Sequence, residues 1–243
     1  LSLSVIMLLP IGGYPVFYVV SLTFAVLWGL FFYYLFSTRQ VNVRTTVWTF
    51  FLTQAGVFLI FGLLHSLNFF YIFTQMAFPL SIVGYILGVG LTEEFTKMIP
   101  LFILQHRSKE PMLPQTMVYY GLMAGIAFGV FEGVQYQTTI NIHADYTTAF
   151  LLNIARLTSL PFLHATWCGI AGYFIGMAGL YPRYRKGLWF LALVIPAVLH
   201  GLYDSFAGNF YVVSLCVAVF TVLLLMAYMR RSGKLRERLR ENG

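Results

Sequence analysis

Charged residues are scarce in this sequence. Only 9% of its 243 residues are Asp, Glu, Lys or Arg, whereas 59% are hydrophobic and 18% are aromatic. Such a chain has too few polar side chains to cover the surface of a water-soluble domain, so lipid must be its solvent. The scarcity excludes a soluble globular protein and predicts an integral membrane protein, whose Trp and Tyr residues suit the bilayer interfaces.

Cysteine is also rare. The chain has two, Cys168 and Cys216, and both lie in apolar runs. This pattern indicates no disulfide framework. We expect both to be packing residues, because free cysteine is a common small buried side chain. For Cys168, one turn after His164, a metal ligand or a nucleophile is the alternative.

Long apolar segments dominate the rest of the chain. Each is long enough to cross roughly 30 Å of hydrocarbon as a helix. The segments are 15–36, 47–66, 69–105, 117–136, 149–180, 188–208 and 210–229. They predict an all-α fold, a polytopic transmembrane bundle over residues 15–229 with about seven membrane-spanning helices.

Two of these segments are longer than one span requires, and the first 14 residues belong to none of the segments. The segments 69–105 and 149–180 exceed the roughly 20 residues that a span requires, so we expect them to tilt, kink or extend beyond the bilayer, with Pro100 and Pro161 as the places. Residues 1–14 form an uncertain N-terminal segment. They lack the basic region of a signal peptide and do not begin with Met, which suggests a truncated or processed start.

Basic residues are concentrated in four places. Thirteen of the 15 Lys and Arg residues lie near 39–44, 107–109 and 183–186 or in the tail 230–243. If all seven segments span the membrane, these places share one side, which the positive-inside rule makes cytoplasmic. The predicted topology is N-out/C-in with a basic cytoplasmic tail. A tail that binds nucleic acid or anionic lipid is the alternative, but we expect it only to fix topology and expect no nucleic-acid partner.

Ionisable residues also occur inside the predicted spans. Each charge at the centre of a bilayer costs about 2.5–3.5 kcal/mol on insertion scales, so such residues need a polar environment within the protein. They are His65, Glu93, Glu94, Lys97, Glu132, Arg156, His164, His200 and Asp204. The set predicts an internal site.

Several of these residues should converge. Counted from the cytoplasmic end of each segment at about 1.5 Å per residue, four of them lie at similar depths of about 18, 22, 24 and 18 Å; they are Glu93, Glu132, His164 and His200. Residues four apart share a helical face, which adds Lys97 to Glu93 and Asp204 to His200. One polar cavity should therefore collect them.

A glycine repeat marks the fourth segment. Glycines recur there every four residues, a pattern that lets membrane helices approach closely; they are Gly121, Gly125, Gly129 and Gly133. At about 100° per residue, Glu132, Gln135 and Tyr136 project on or near the same side. These side chains should face protein instead of lipid.

Such a site suits hydrolysis. A carboxylate in a poorly solvated pocket is a competent general base toward water, and a nearby cation such as Lys97 keeps a carboxylate such as Glu93 ionised. Two imidazoles and a further carboxylate could position the water, donate hydrogen bonds to a developing oxyanion, or bind a metal. The spacing permits each role.

Short motifs around these residues resemble a known family. They occur in one order along the chain: EEFTK at 93–97, FEGVQY at 131–136, Arg156, PFLHATWCGIAGYFIG at 161–176 and HGLYDS at 200–205. Together they resemble the PrsW family of bacterial intramembrane proteases, within the superfamily that includes the CaaX prenyl endopeptidases. The resemblance implies a catalytic core at 81–206 and peptide-bond hydrolysis inside a bacterial cell membrane. In PrsW this is a first cleavage of a single-span anti-sigma factor.

The resemblance also implies residue roles. Glu93 would be the water-activating base with Glu94 and Lys97 in support, and the water-positioning or oxyanion groups would be His164, His200 and Asp204. The prenyl endopeptidases carry a His four residues after the motif Phe, where Gln135 stands here. Glu132 is therefore the expected substitute for positioning water.

Structural roles are the alternative for some of these residues. Glu94 and Lys97 could form a buried ion pair that only fixes the helix register. Arg156 is expected to pair with a carboxylate or to cap carbonyls near Pro161. His65 lies near a short outer turn and is expected at the membrane interface.

Three classes of function remain open. The first is an endopeptidase using Glu-activated water, with a zinc-dependent version as its variant. The second is a proton-coupled carrier, since intramembrane carboxylates and histidines also form proton relays, although no inverted repeat is visible. The third is a non-catalytic scaffold, since the superfamily resemblance extends to a polytopic subunit of gamma-secretase that retains the paired histidines; the full acid and base complement argues against it. We predict the endopeptidase.

Its partners follow from this prediction. The substrate should be a membrane-embedded or membrane-anchored protein within the lipid bilayer of the cell membrane. We predict no cofactor, because the chain has no His-Glu-x-x-His helix. Zinc bound by His164, His200 and Asp204 is the alternative.

Overall fold

The computed structural model describes residues 15–139, 145–208 and 210–241, and these residues are all-helical. Residues 1–14 lie outside the described part, so the expectation for them has no counterpart here. Seven long helical segments run through the described residues. They are α1 Pro15–Phe36, α2 Val43–Leu67, α3 80–107, α4 Pro114–Thr139, α5 Tyr146–Leu180, α6 Arg185–Ala207 and α7 Tyr211–Glu241.

Five of these helices are long and apolar enough to cross a membrane, namely α1, α2, α4, α6 and α7. The other two, α3 and α5, were also predicted as spans. Polar residues of the predicted site reduce their apolar character, since α3 contains Glu93, Glu94 and Lys97 and α5 contains His164. Length and composition alone therefore identify five spans in the described ranges.

Helix α4 is the centre of the bundle. Within its span 94% of the residues are buried, compared with 17–33% in the other four. Its glycines pack directly on α5: a Cβ at Gly129 would lie 2.6 Å from the Cα of Pro161. The contact is reciprocal, because a Cβ at Gly176 would lie 2.6 Å from the Cα of Pro114. Small residues thus allow the backbone approach that the glycine repeat predicts.

Helices α3 and α6 approach each other in the same way. A Cβ at Gly201 would lie 2.5 Å from the Cα of Ile86, and one at Gly90 would collide with the carbonyl oxygen of Ala197. His200 directly precedes Gly201, and Glu93 follows Gly90 by three residues. This contact therefore brings the histidine of α6 to the carboxylates of α3.

The predicted single segment 69–105 is divided in the structure. Phe69–Gln75 forms a separate 3-10 helix, and α3 begins at Leu80. Asn68 fixes the turn: its side-chain oxygen accepts a hydrogen bond from Phe70 N at 3.0 Å, and its amide donates to carbonyl oxygens of α3, including Leu87 O at 2.7 Å. This reversal was not predicted from the sequence.

The helical ladder is irregular at unexpected places. Pro100 and Pro161, where kinks were expected, both lie inside α-helices, and kinking there stays a prediction. The ladder departs from α-helix at π-helical turns, which occupy Val57–Phe61 in α2 and Gly84–Gly90 in α3. The second of these precedes Glu93 and carries the glycines that contact the 3-10 helix and α6.

The basic connections meet at one end of the bundle. Gln40, between α1 and α2, accepts hydrogen bonds from Leu113 N and from Thr116 Oγ1, both at 2.9 Å, at the start of α4. A Cβ at Gly179, near the end of α5, would collide with the side chain of Gln105 near the end of α3. We call this the basic end, because the three basic connections lie there, at 37–42, 108–113 and 181–184.

Candidate active site

Lys97 is the centre of a buried polar cluster. Its Nζ lies 2.7 Å from Glu94 Oε1, 3.4 Å from Glu93 Oε2 and 2.6 Å from His164 Nδ1, and its side chain is fully buried. The ammonium group also lies 4.1 Å from the ring centroid of Phe128. A buried charge needs such partners, and the pairing joins α3 to α5.

His200 lies between two sets of carboxylates. Its Nδ1 is 2.9 Å from Glu94 Oε1, while its Nε2 is 3.3 Å from Asp204 Oδ2 and 3.7 Å from Glu93 Oε2. The indole of Trp167 stacks on the imidazole, with ring centroids 4.2 Å apart and planes inclined by 15°. Both ring nitrogens therefore face acceptors, and the stacked indole fixes the ring plane.

His164 has a different pair of neighbours. Its Nδ1 faces Lys97 Nζ, and its Nε2 pairs with Glu132 Oε2. Because an ammonium group donates and cannot accept, Nδ1 accepts the hydrogen bond and Nε2–H donates to Glu132. The Lys97 contact thus selects the ring tautomer.

A cavity of about 500 Å³ adjoins the cluster. Glu93, Glu132 and Asp204 line it, and His164 and His200, each 1% exposed, contact these carboxylates. Its remaining walls come from helix ends remote from the basic end, together with the 3-10 helix. They include Val57, Phe61, Gly62, His65, Tyr71, Thr74, Gln75, Tyr85, Val89, Phe128, Phe131, Gln135, Tyr136, Thr139 and Ala207.

The structure brings together all seven residues predicted for the site. Five of them are buried, and two are partly exposed toward the cavity. The buried residues are Glu93, Glu94, Lys97, His164 and His200, and the partly exposed residues are Glu132 and Asp204.

The structure also shows the contacts of three residues that were expected to have structural roles. Arg156 lies over the ring of Tyr136, 3.5 Å from its centroid, so its contact is aromatic. His65 lines the cavity with its ring centroid 4.0 Å from that of Tyr71, and its place at the membrane interface stays a prediction. Cys168 is buried and its Sγ lies 3.7 Å from Lys97 O, which is a packing position.

The sequence prediction missed the cavity wall contributed by Tyr71 and Tyr85. Tyr71 belongs to the 3-10 helix, which folds back onto α3. Asn68 and Pro79 flank that segment and were the available signal for a reversal, because both residue types favour turns.

A metal is one possible occupant of such a site. Glu93, His164 and His200 each offer a ligand atom, and the three atoms lie within 4.8 Å of one another. The predicted alternative had Asp204 in the place of Glu93. His200 fits a metal ligand well, because its Nδ1–H can donate to Glu94, the arrangement common around zinc-bound histidine.

His164 does not fit that role. Its Nδ1 faces the ammonium of Lys97, which places the ring proton on Nε2 and leaves no lone pair there for a metal. The same ammonium lies 3.4 Å from Glu93 Oε2, so a divalent cation would also meet its charge. The donor set therefore does not suit a three-ligand zinc centre.

A water molecule suits the same three atoms. Because no two of these atoms are more than 4.8 Å apart, a point between them lies within about 2.8 Å of each, which is hydrogen-bond range. The group can therefore position a water beside the Glu93 carboxylate.

Comparisons with known proteins identify the family of the chain. The profile of the family described as "PrsW family intramembrane metalloprotease" matches residues 37–229. Protease PrsW of Shouchella clausii is 26% identical over 155 residues, which cover 63% of this chain and 68% of that protein. Protease PrsW of Oceanobacillus iheyensis is 28% identical over 149 residues, covering 61% and 66%.

A third Protease PrsW, from Halalkalibacterium halodurans, is 27% identical over 116 residues, which cover 48% of this chain and 50% of that protein. No solved structure matches the chain. These alignments span about half to two thirds of the relatives' lengths, whereas the family match covers most of this chain. With five helices of membrane-spanning character in the described ranges, the chain is a multi-pass membrane protein. It belongs to the PrsW family of intramembrane proteases.

Proposed function

We propose that this protein is an intramembrane endopeptidase in which Glu93 activates water for attack on a peptide bond of a membrane-associated protein. The observation that carries the proposal is the position of Glu93. Its carboxylate lines the cavity and lies 3.4 Å from Lys97 Nζ and 3.7 Å from His200 Nε2. A carboxylate held between two cationic or donor groups, beside a space for substrate, suits a general base.

The reaction uses Glu93 twice. Its carboxylate accepts a proton from water as the water oxygen bonds to the peptide carbonyl carbon. The Nε2–H of His200 then donates a hydrogen bond to the oxyanion, which stabilises the tetrahedral intermediate. Glu93 returns the proton to the amide nitrogen, the C–N bond breaks, and the products are a carboxylic acid and an amine.

The remaining residues position these groups. Glu94 contacts both Lys97 and His200 through Oε1, so it links the cation to the oxyanion donor. Asp204 contacts His200 from the cavity side. Glu132 pairs with His164 and can accept a hydrogen bond from the attacking water, as expected for the substitute at this helix.

The proposed mechanism needs no metal. Support comes from the Lys97–His164 contact, which gives His164 the tautomer unsuited to metal binding. A zinc enzyme is the second candidate, favoured by the spacing of Glu93, His164 and His200 and by the description of the family as metalloproteases. In that case Glu93 and the two histidines would ligate the metal.

Substrate access follows from the two ends of the bundle. We propose seven spans with the basic end in the cytoplasm, so that the cavity lies in the outer half of the membrane. The scissile bond would then lie in the outer part of a substrate's span, as in a single-span protein of the anti-sigma-factor type. A reporter fused to the C-terminus should stay inside the cell; exposure outside would contradict this orientation.

The test of the function compares two Glu→Gln variants in membranes. Glu93→Gln removes the base with little change of volume, and new peptide termini that depend on the wild-type protein should fall by about 100-fold or more. Glu110→Gln is the matched control, since this residue is exposed near the basic end. If Glu93→Gln cleaves at the control's rate, Glu93 is not the base.

A further inference from the structure

One wall of the cavity is apolar and carries none of the proposed catalytic groups. Val57 and Phe61 of α2 meet Phe128 and Phe131 of α4 in a cluster separate from the main hydrophobic core. Phe61 and Phe128 pack edge to face with ring centroids 5.6 Å apart. We call these four residues the aromatic wall.

Gly62 opens space beside the aromatic wall. It lines the cavity, and a Cβ at this position would meet nothing within 4 Å. Its backbone angles, φ −58° and ψ −39°, are those of an ordinary α-helix, so any residue could adopt them. The glycine therefore leaves volume in the cavity without any backbone requirement for it.

The aromatic wall directly adjoins the reacting groups. The ring of Phe128 lies 4.1 Å from Lys97 Nζ, and its centroid lies 5.2 Å from that of His164. Glu93 and Glu132 line the same cavity. A peptide group placed at these carboxylates would therefore direct a neighbouring side chain onto the aromatic wall.

We propose that the aromatic wall and the space beside Gly62 form a specificity subsite for one apolar substrate side chain next to the scissile bond. Gly62 sets the size of the side chain that fits. The inference rests on the proposed endopeptidase function and extends it to substrate selection.

The polarity of the cavity favours a peptide over a lipid acyl chain as the occupant. Its other walls carry Glu93, Glu132, Asp204 and His65, which can bind the polar groups of a peptide backbone. An acyl chain offers these groups no hydrogen bond and would exclude water from them, which is costly. A cavity of about 500 Å³ is also within the usual range for ligand pockets.

The test measures a cleavage ratio. A mass-encoded panel of single-span peptides, varied to Ala, Val, Leu or Phe at each position of the outer half, is reconstituted in liposomes with the protein, and cut sites are read by mass spectrometry. We expect wild type to prefer a large apolar residue beside the cut. Along the series Gly62→Ala, Gly62→Val and Gly62→Leu, the ratio of Leu- to Ala-peptide cleavage should fall stepwise, by at least about tenfold at Leu, because one methylene is worth about 10- to 200-fold.

Gly187→Leu is the matched control. Gly187 also lies in a helix with nothing within 4 Å of its Cβ, but it is near the basic end and outside the cavity lining. Its ratio should equal that of wild type. If Gly62→Leu does not accumulate, Gly62→Ala still gives a reading, since alanine favours helix.

The remaining outcomes separate the two proposals. An unchanged ratio in the Gly62 series, or an equal loss for all peptides, would overturn the subsite while leaving the endopeptidase intact. Equal processing of the panel by wild type and Glu93→Gln would overturn the proposed function, and the subsite with it.

Discussion

Removal of the Lys97 side-chain charge should strongly destabilise the fold. Lys97→Met keeps most of the volume but leaves two carboxylates without their cation. At an effective dielectric constant of about 20, unit charges 2.7 and 3.4 Å apart attract by about 6 and about 5 kcal/mol. Desolvation offsets much of this, and breaking a buried ion pair costs about 3–5 kcal/mol in measured cases. We therefore expect the free energy of unfolding to fall by about 3–5 kcal/mol.

The assay is a double-mutant cycle with Glu94→Gln, using steric trapping in bicelles to measure unfolding. Since Glu94 is the closest carboxylate to Lys97, the double variant should be more stable than the sum of the single effects implies. Lys109→Met is the control, because Lys109 is exposed and should change stability little. A loss below about 1 kcal/mol for Lys97→Met, or strict additivity in the cycle, would refute the buried ion-pair reasoning.

Three further predictions concern packing and chemistry. Gly125→Leu should prevent accumulation of folded protein, because even a Cβ there would collide with the carbonyl oxygen of His164. Gly133→Ala should accumulate normally on gel filtration, because its Cβ would meet only a flexible leucine tip at 3.4 Å. Asn68→Leu should lower the free energy of unfolding by about 1–3 kcal/mol in steric trapping, because buried acceptors of α3 lose their donor; an unchanged value would contradict that role. Cys168→Ala should cleave peptides within a few-fold of wild type, and loss of activity would restore the thiol as a candidate nucleophile.

Much of the candidate site could be predicted because depth along a helix follows from the sequence. Axial rise fixes how far Glu93 and His200 lie from their helix ends, and four-residue spacing fixes the faces shared with Lys97 and Asp204. Because isolated ionisable groups are costly within a membrane, several of them are expected to share one cluster inside the protein. The observed contacts agree with this reasoning.

The arrangement within the cluster could not be predicted in the same way. Which carboxylate reaches which imidazole nitrogen depends on helix rotation and on the close contacts at Gly90 and Gly201. The resemblance implied water-positioning or oxyanion roles for His164 and His200, and these roles stay predictions. The structure adds that both imidazoles are almost fully buried and contact carboxylates that line the cavity.

The cavity wall formed by the 3-10 helix was not predicted either. An apolar run in lipid lacks the cluster of polar residues that marks a turn in soluble proteins, so the segment 69–105 was predicted as one span. Only the reversal at Asn68 brings Tyr71 beside His65 and closes the cavity on that side. The π-helical turn Gly84–Gly90 likewise has no established sequence signature beyond its glycines.

The cleavage rate of metal-stripped protein tests the central claim most directly. Purified wild type is treated with phenanthroline, dialysed, checked for residual metal, and assayed in liposomes with the single-span peptides, using Glu93→Gln as the baseline. We expect the stripped wild type to retain its cleavage rate and no stoichiometric zinc to copurify. Zinc at one per chain, with cleavage lost on its removal and restored on its return, would contradict the Glu93 mechanism and make Glu93, His164 and His200 metal ligands.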